Sequence, residues 1–249
     1  MAFAIERRDE VAILRLDDGR ANAIGPAFLD GMEGALDGLG DARAVVVVGF
    51  GAIFSAGLDL PSLIALDEPA MQAFIARFGE VMLRLFTLPR PVVAAVNGHA
   101  VAGGCVLALQ ADVRVGADRE GTKIGLNETA LGIGLPSVVV ETLRFRVPAS
   151  SLVPIALEGR LFGARDALAL GLLDELAAPE ALEARAVARA RELAAIPPVA
   201  FAQVKAMLRA PVVERVRAEA AVDAARWTAT WFSADGQARL RAAVARLRR

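Results

Sequence analysis

Glu128 is the residue of this chain best suited to chemistry. It stands among small and apolar residues in Lys123-Ile-Gly-Leu-Asn-Glu-Thr-Ala-Leu-Gly-Ile-Gly134. Burial in such surroundings raises a carboxylate's pKa and lets it take up and return a proton near neutral pH. The Gly-rich turn upstream, Ala102-Gly103-Gly104-Cys105-Val106, carries no second acid. One base without a partner suits moving a proton within a substrate better than adding water.

Two Gly-rich loops are the second chemical feature. Ser55-Ala56-Gly57-Leu58-Asp59 follows the apolar run Val45–Val48, and the loop from Gly98 to Gly104 follows Val92–Val96. Each opens a helix, where unpaired backbone N–H groups point outward and can hold an anion or a developing oxyanion. Two such donors on one carbonyl oxygen would each contribute about 3–4 kcal/mol. Neither loop has the phosphate-loop lysine spacing or the Gly-x-Gly-x-x-Gly spacing. Taken singly, each is equally well read as a tight turn that permits close packing.

Other candidates carry plainer readings. Glu141 follows Val138–Val140 on an expected helix and suits a salt bridge; Glu158 precedes Gly159 at an expected helix end and suits the surface. Either is also a place from which a displaced second acid could come. His99, the only histidine, reads as a turn or packing residue, and Cys105 as a small packed residue unable to form an internal disulfide. No His/Cys cluster offers a metal site. With 28 basic and 29 acidic residues in 249, nothing global argues for a nucleic-acid surface. Basic density rises only at Arg239, Arg241, Arg246, Arg248 and Arg249, which suits a solvated helix face, an anionic ligand or a neighbouring subunit.

The N-terminus has charges where a signal peptide would have its apolar run, so a reducing cytoplasm is expected. Val92–Ala111 carries no formal charge and approaches the length of a membrane span. Its Asn97-Gly98-His99 and Gly103-Gly104 favour a buried strand, a turn and a buried helix instead, in a soluble chain.

The elements that must position these residues follow from pattern. A hairpin is expected over residues 2–16 with its turn at Arg7–Glu10, and a helix from Pro26 carrying Phe28, Leu29, Met32, Leu36 and Leu39. Strands are expected at Val45–Val48 and Val92–Val96, with a helix over 69–88 between them and a turn at Asn97–Ala100. Asp112–Val115 is strand-like, and Thr122–Leu126 less regularly so. Strand–helix–strand alternation with long crossovers predicts a largely parallel α/β sheet covered by helices. Beyond Pro136 the chain reads as mostly helical, with a strand-like piece near Leu172–Leu176 and with Pro197-Pro198 and Pro211 separating helices.

The chain resembles the crotonase superfamily of enoyl-CoA hydratases and isomerases. The resemblance is densest in Phe54-Ser-Ala-Gly-Leu-Asp-Leu60, Pro89-Arg-Pro-Val-Val-Ala-Ala-Val-Asn-Gly98, Ala102-Gly-Gly-Cys105 and Ile124-Gly-Leu-Asn-Glu-Thr-Ala-Leu-Gly-Ile133. It implies a crotonase-like spiral of ββα units over residues 1–190 and a helical region over 191–249 that makes trimers or hexamers, with Trp231, Phe232, Leu240 and Leu247 suited to that packing. It also implies that the N–H groups of Leu58 and Gly103 form an oxyanion hole for an acyl-CoA thioester. Ala21, Asn22, Ala56, Gly57, Asp59, Leu60 and Gly104 would lie along the coenzyme A moiety, which is part of the substrate rather than a cofactor.

The family's hydratases use two glutamates, one matching Glu128 and one at the position of Val106. Mitochondrial-type 3,2-trans-enoyl-CoA isomerases are similar to this chain in having an apolar residue there and an Asn-Glu-Thr segment around the other. The expectation is therefore a Δ3-Δ2-enoyl-CoA isomerase of fatty-acid metabolism, without membrane or nucleic-acid partner. Hydration, decarboxylation and non-catalytic acyl-CoA binding remain alternatives. Phe74, Phe78 and Phe86 are candidates for an acyl pocket, and Lys205 or the terminal arginines for the coenzyme A phosphates.

Overall fold

The computed structural model describes residues 3–247. Ala2, where the expected hairpin begins, and Arg248 and Arg249 of the basic tail lie outside the described residues. Strands β1 (Ala4–Arg8) and β2 (Val11–Arg15) pair antiparallel with Arg8 opposite Val11. The turn is thus only Asp9-Glu10, tighter than the sequence suggests, with Asp9 at φ 56°.

From β2 onward the sheet grows by parallel neighbours. These are β3 (Ala44–Val48), β5 (Val92–Val96), β7 (Val113–Ala117) and β9 (Glu175–Ala177). Alternate side chains serve two cores. Ala12, Leu14, Val45, Val47, Val92, Ala94 and Val96 enter the main core. Ile13, Ala44, Val46, Val93, Ala95 and Val115 pack instead on Leu182, Ala186, Val187, Ala190 and Ala194 of helix α7 (Leu182–Ala194). A strand covered on both faces disfavours polar residues, which is why β3 and β5 are unbroken alanine and valine.

A second sheet contains β4 (Ile53–Ser55), β6 (His99–Val101) and β8 (Ile124–Gly125), all parallel. The chain visits the sheets alternately, β3 to β4, β5 to β6 and β7 to β8. Each visit ends in helix: α2 (Leu60–Leu63) and α3 (Glu68–Phe86), then α4 (Gly103–Leu109), then a 3-10 turn (Thr129–Leu131) and α5 (Ser137–Arg146). The architecture is a spiral of ββα turns, with α1 (Pro26–Asp37) packed beside α3. His99 is therefore a strand residue, not a turn residue; its Nδ1 accepts the Lys123 N–H at 3.1 Å. Val92–Ala111 becomes β5, β6 and α4. Among the described residues no helix is long and apolar enough to cross a membrane.

The C-terminal half departs from expectation at two points. Helix α8 (Pro198–Trp231) runs through Pro211 instead of ending there. A proline inside a helix removes one hydrogen bond and crowds the preceding turn, at about 3 kcal/mol. Pro211 sits on the exposed side, and the helix is pinned on either side of it by buried Lys205, Arg209, Val212 and Val216. Next, Trp231 and Leu240 are fully buried within the chain, with Trp227 stacked on Trp231 at 5.3 Å. They dock α8 and α9 (Ala234–Leu247) onto the chain's own body and are not free for a neighbouring subunit; of that group Leu247 is exposed. Residue 190, the expected boundary, falls inside α7.

Candidate functional site

The three residues with chemical potential all follow strands of the small sheet. Ser55 of β4 pairs with Ala100 of β6, and Val101 of β6 pairs with Gly125 of β8. Leu58 lies three residues past β4, Gly103 two past β6 and Glu128 three past β8. Parallel strands, with one register shift between Ile53 and Ser55, carry all three past the same end of the sheet, neighbouring strands lying about 4.8 Å apart.

The two loops touch. A Cβ on Gly57 would lie 2.7 Å from the Val101 carbonyl oxygen and 3.2 Å from the Gly103 nitrogen, and one on Gly103 would lie 3.6 Å from the Leu58 nitrogen. Gly57 also adopts φ +91°. Only glycine allows both the conformation and the approach. The Leu58 loop is held by Ile24, whose N–H donates to Gly57 O at 2.7 Å and whose carbonyl accepts Asp59 N–H at 3.0 Å. Neither the Leu58 nor the Gly103 N–H has an acceptor among the described residues. Ala102, just before α4, sits at φ 50°, ψ −122°, a conformation a non-glycine residue adopts at a cost of about 1–3 kcal/mol. Its N–H donates to Gly125 O at 2.8 Å, which fixes the turn from the neighbouring strand. Two free amides side by side form a cradle for a partly negative oxygen.

Glu128 is 7% exposed, and its Oε2 is buried with no hydrogen-bond partner. Burial, opposed by its own backbone N–H, pushes its carboxyl up to about 7. Burial first and the nearby Glu128 charge second push the Cys105 thiol up to about 12, which makes Cys105 an inert wall beside the carboxylate. Val106 is buried in the main core. Glu141 is committed elsewhere: it accepts Arg215 Nε at 2.5 Å and Arg144 Nη1 at 3.3 Å, clamping α5 to α8. Glu158 is half exposed and pairs with Arg160 at 3.5 Å.

The remaining expected contacts divide. Ala21, Ala56, Asp59 and Leu60 are at least partly exposed on the rim of the Leu58 loop, with Ala56 N–H bonded to Ala21 O at 2.9 Å. Asn22 is fully buried: its Nδ2 donates to Leu16 O and Phe54 O, and its Oδ1 accepts Asp18 N–H. It staples the loop, with both Nδ2 hydrogens committed to the chain's own carbonyls. Gly104 serves packing, since a Cβ there would stand 2.1 Å from Ser55 O. Phe74, Phe78 and Phe86 are core residues, Phe86 lying under the Arg209 guanidinium at 4.1 Å. Lys205 is buried against Asp112 and Arg90 O, away from any phosphate role, and Arg239 pairs with Asp235. Among the described residues no group of three or more His, Cys, Asp or Glu could hold a metal. The residues that pattern did not flag are Ser55, whose hydroxyl bonds Asn22 O at 2.7 Å, and Ala102, whose strain leaves no mark in the sequence.

A spiral of ββα turns that presents two free amides and a buried carboxyl at one edge is the architecture of the crotonase fold. Residues 6–242 match the enoyl-CoA hydratase/isomerase family, and the chain belongs to it. The human mitochondrial enoyl-CoA delta isomerase 1 is 30% identical over 210 residues, covering 83% of this chain and 70% of that one. A protein of Mycolicibacterium paratuberculosis named "Probable enoyl-CoA hydratase echA17" is 34% identical over 216 residues, covering 84% and 83%. Among solved structures, human mitochondrial Δ3-Δ2-enoyl-CoA isomerase superposes with TM-score 0.93 at 28% identity, covering all of this chain and 98% of its own. Relatives thus carry both names, hydratase and isomerase.

Proposed function

We propose that this chain is a Δ3-Δ2-enoyl-CoA isomerase with Glu128 as its single acid/base. The observation that carries the reading is the buried Glu128 carboxyl, one oxygen unpartnered among the described residues, together with an α4 that holds no acid and has Val106 in its first turn. In a 3-enoyl thioester the C2 proton is acidified by both the carbonyl and the alkene. Ionised Glu128 removes it, and the electron pair spreads into a dienolate whose charge falls on the thioester oxygen. The Leu58 and Gly103 N–H groups are the donors for that oxygen, each worth about 3–4 kcal/mol. The protonated Glu128 then returns the proton at C4, and the double bond comes to lie between C2 and C3. A carboxyl titrating near 7 is well matched to both halves of this transfer. Ala21, Ala56, Asp59 and Leu60 form the rim along which the coenzyme A portion would run, above the buried Gly57.

Hydration would need a second acid to activate water, and the relatives named hydratases keep that outcome in the test. Purified protein is assayed with 3-hexenoyl-CoA and with crotonyl-CoA, beside Glu128→Gln. Isomerisation lost in the variant supports the reading; rapid 3-hydroxybutyryl-CoA formation, or isomerisation unchanged in the variant, overturns it. A homotrimer or hexamer is also proposed. Val204, Met207 and Leu208 of α8 are at least half exposed, beside an apolar groove of about 400 Å³ that includes Phe145, Ile196 and Phe201. A monomeric mass in solution would exclude it.

A further inference from the structure

Among the described residues no group holds Glu128 Oε2, so the backbone that carries the side chain has a large part in aiming the carboxyl. The main chain there is fixed from several sides. The Glu128 carbonyl accepts the Leu131 and Ile133 amides at 2.9 and 3.0 Å. Further along, Gly134 N–H donates to Thr230 Oγ1 at 2.8 Å, and Trp227 Nε1 donates to Gly134 O at 2.9 Å, tying the loop to the end of α8. The remaining side is a contact with a distant segment. Thr129 Oγ1 donates to the Ala156 carbonyl at 2.6 Å. Beside it Gly159, at φ +62°, lies so close to Ala130 that a Cβ would stand 2.8 Å from the Ala130 nitrogen.

Ala156 belongs to a single π-helical turn, Val153–Leu157. Its bonds reach further than those of an α-helix: Glu158 N–H donates to Val153 O at 3.0 Å and Arg160 N–H to Pro154 O at 3.3 Å. The Ala156 carbonyl is one of the helix-end acceptors left without a backbone donor, and the Thr129 hydroxyl fills it. Isolated π turns are uncommon and occur disproportionately at functional sites. This one meets the chain at the two residues that follow the carboxyl.

We propose that this junction, the Thr129 hydroxyl on the Ala156 carbonyl with Gly159 seated against Ala130, aims the Glu128 carboxyl at the reacting carbons. Thr129 is then a positioning residue. The proposal rests on the acid/base reading of Glu128 given above. Thr129 is bonded directly to the Glu128 carbonyl carbon, so a shift of that peptide carries the carboxyl with it. A displacement of about 1 Å at a reacting group can cost 10²-fold in rate.

The test is isomerisation of 3-hexenoyl-CoA by the unaltered protein and by Thr129→Val, Thr129→Ser and Gly159→Ala, with circular dichroism and thermal melting as folding controls. Valine keeps the shape and loses the donor; serine keeps the donor. The expected result is a kcat about 10–100-fold lower in Thr129→Val with KM close to that of the parent. Thr129→Ser should restore most of the rate, and Gly159→Ala should fall with valine. Should Thr129→Val fail to fold, the Thr129→Ser and Gly159→Ala rates carry the comparison. Parental kcat in Thr129→Val or Gly159→Ala, a change confined to KM, or a serine variant as slow as valine would overturn the positioning role while leaving the acid/base reading intact. An unaltered protein that neither isomerises nor exchanges C2 deuterium would overturn both.

Discussion

Two acids in this chain, buried Glu128 and the largely covered Asp112, live under opposite conditions. Asp112, just past α4, accepts Lys205 Nζ at 2.7 Å, Arg209 Nη2 at 2.6 Å and the Val92 amide at 2.8 Å. Around it Arg146 donates to the Leu109 and Ala111 carbonyls, and Arg209 to Phe86 O, so the cations also finish the C-terminal ends of α3 and α4. Among the described residues Glu128 has no cation beside it and one oxygen with nothing to bind. A buried charge that is fully partnered holds elements together. One left without a partner is strained toward neutrality, which is the condition a proton carrier needs.

The contrast can be broken from either end. Glu128→Gln should lower isomerase kcat by about 10²–10⁴-fold, with the fold intact by circular dichroism; activity within tenfold of the parent would sink it. Asp112→Ala should do the reverse. Stranding Lys205 and Arg209 without their anion should cost about 3–5 kcal/mol in denaturant titration, while the rate per folded molecule stays near parental.

The pH behaviour sharpens the comparison. Burial raises the Glu128 carboxyl from its ordinary 4.5 to about 7, so the folded state holds a proton the unfolded state has released. Its stabilising share is complete below pH 4.5 and lost progressively as pH climbs to about 7, a span of at most about 3 kcal/mol. Unfolding curves of Glu128→Gln should lack that decline. The catalytic base must be ionised, so kcat/KM should rise with pH through about 7; a flat profile between pH 6 and 8 would contradict the assignment. The smallest effect is expected at an exposed pair such as Arg77–Glu33, where Arg77→Ala should change stability by about 0–1 kcal/mol and activity not at all.

Much of this was legible before any coordinates. The unbroken Val45–Val48 and Val92–Val96 runs announce strands buried on both faces, and Glu128 stands out because its neighbours are apolar. Two strands of the small sheet stayed hidden because β4 and β6 are only three residues long, too short for any periodicity to show, while β8 shows only as the less regular Thr122–Leu126 run. For that reason the sequence alone reads His99 as a turn residue. Pro211 misled because a local rule was outweighed by distant anchors, the ion pairs of Lys205 and Arg209 with Asp112. The burial of Trp231 within its own chain, and the strain at Ala102, depend on what the tertiary structure brings opposite them, which no single segment encodes.

The outer face of the large sheet has a consequence for how the chain is made. Val46, Val93 and Val115 are covered only by α7, a segment synthesised long after the strands it shields. Until that helix leaves the ribosome, a nascent chain with β2, β3, β5 and β7 already paired displays a bare apolar surface to solvent. Such a surface is what holdase chaperones bind and what neighbouring nascent chains stick to. Translation speed across the stretch before Leu182 therefore bears directly on how much protein reaches its finished form.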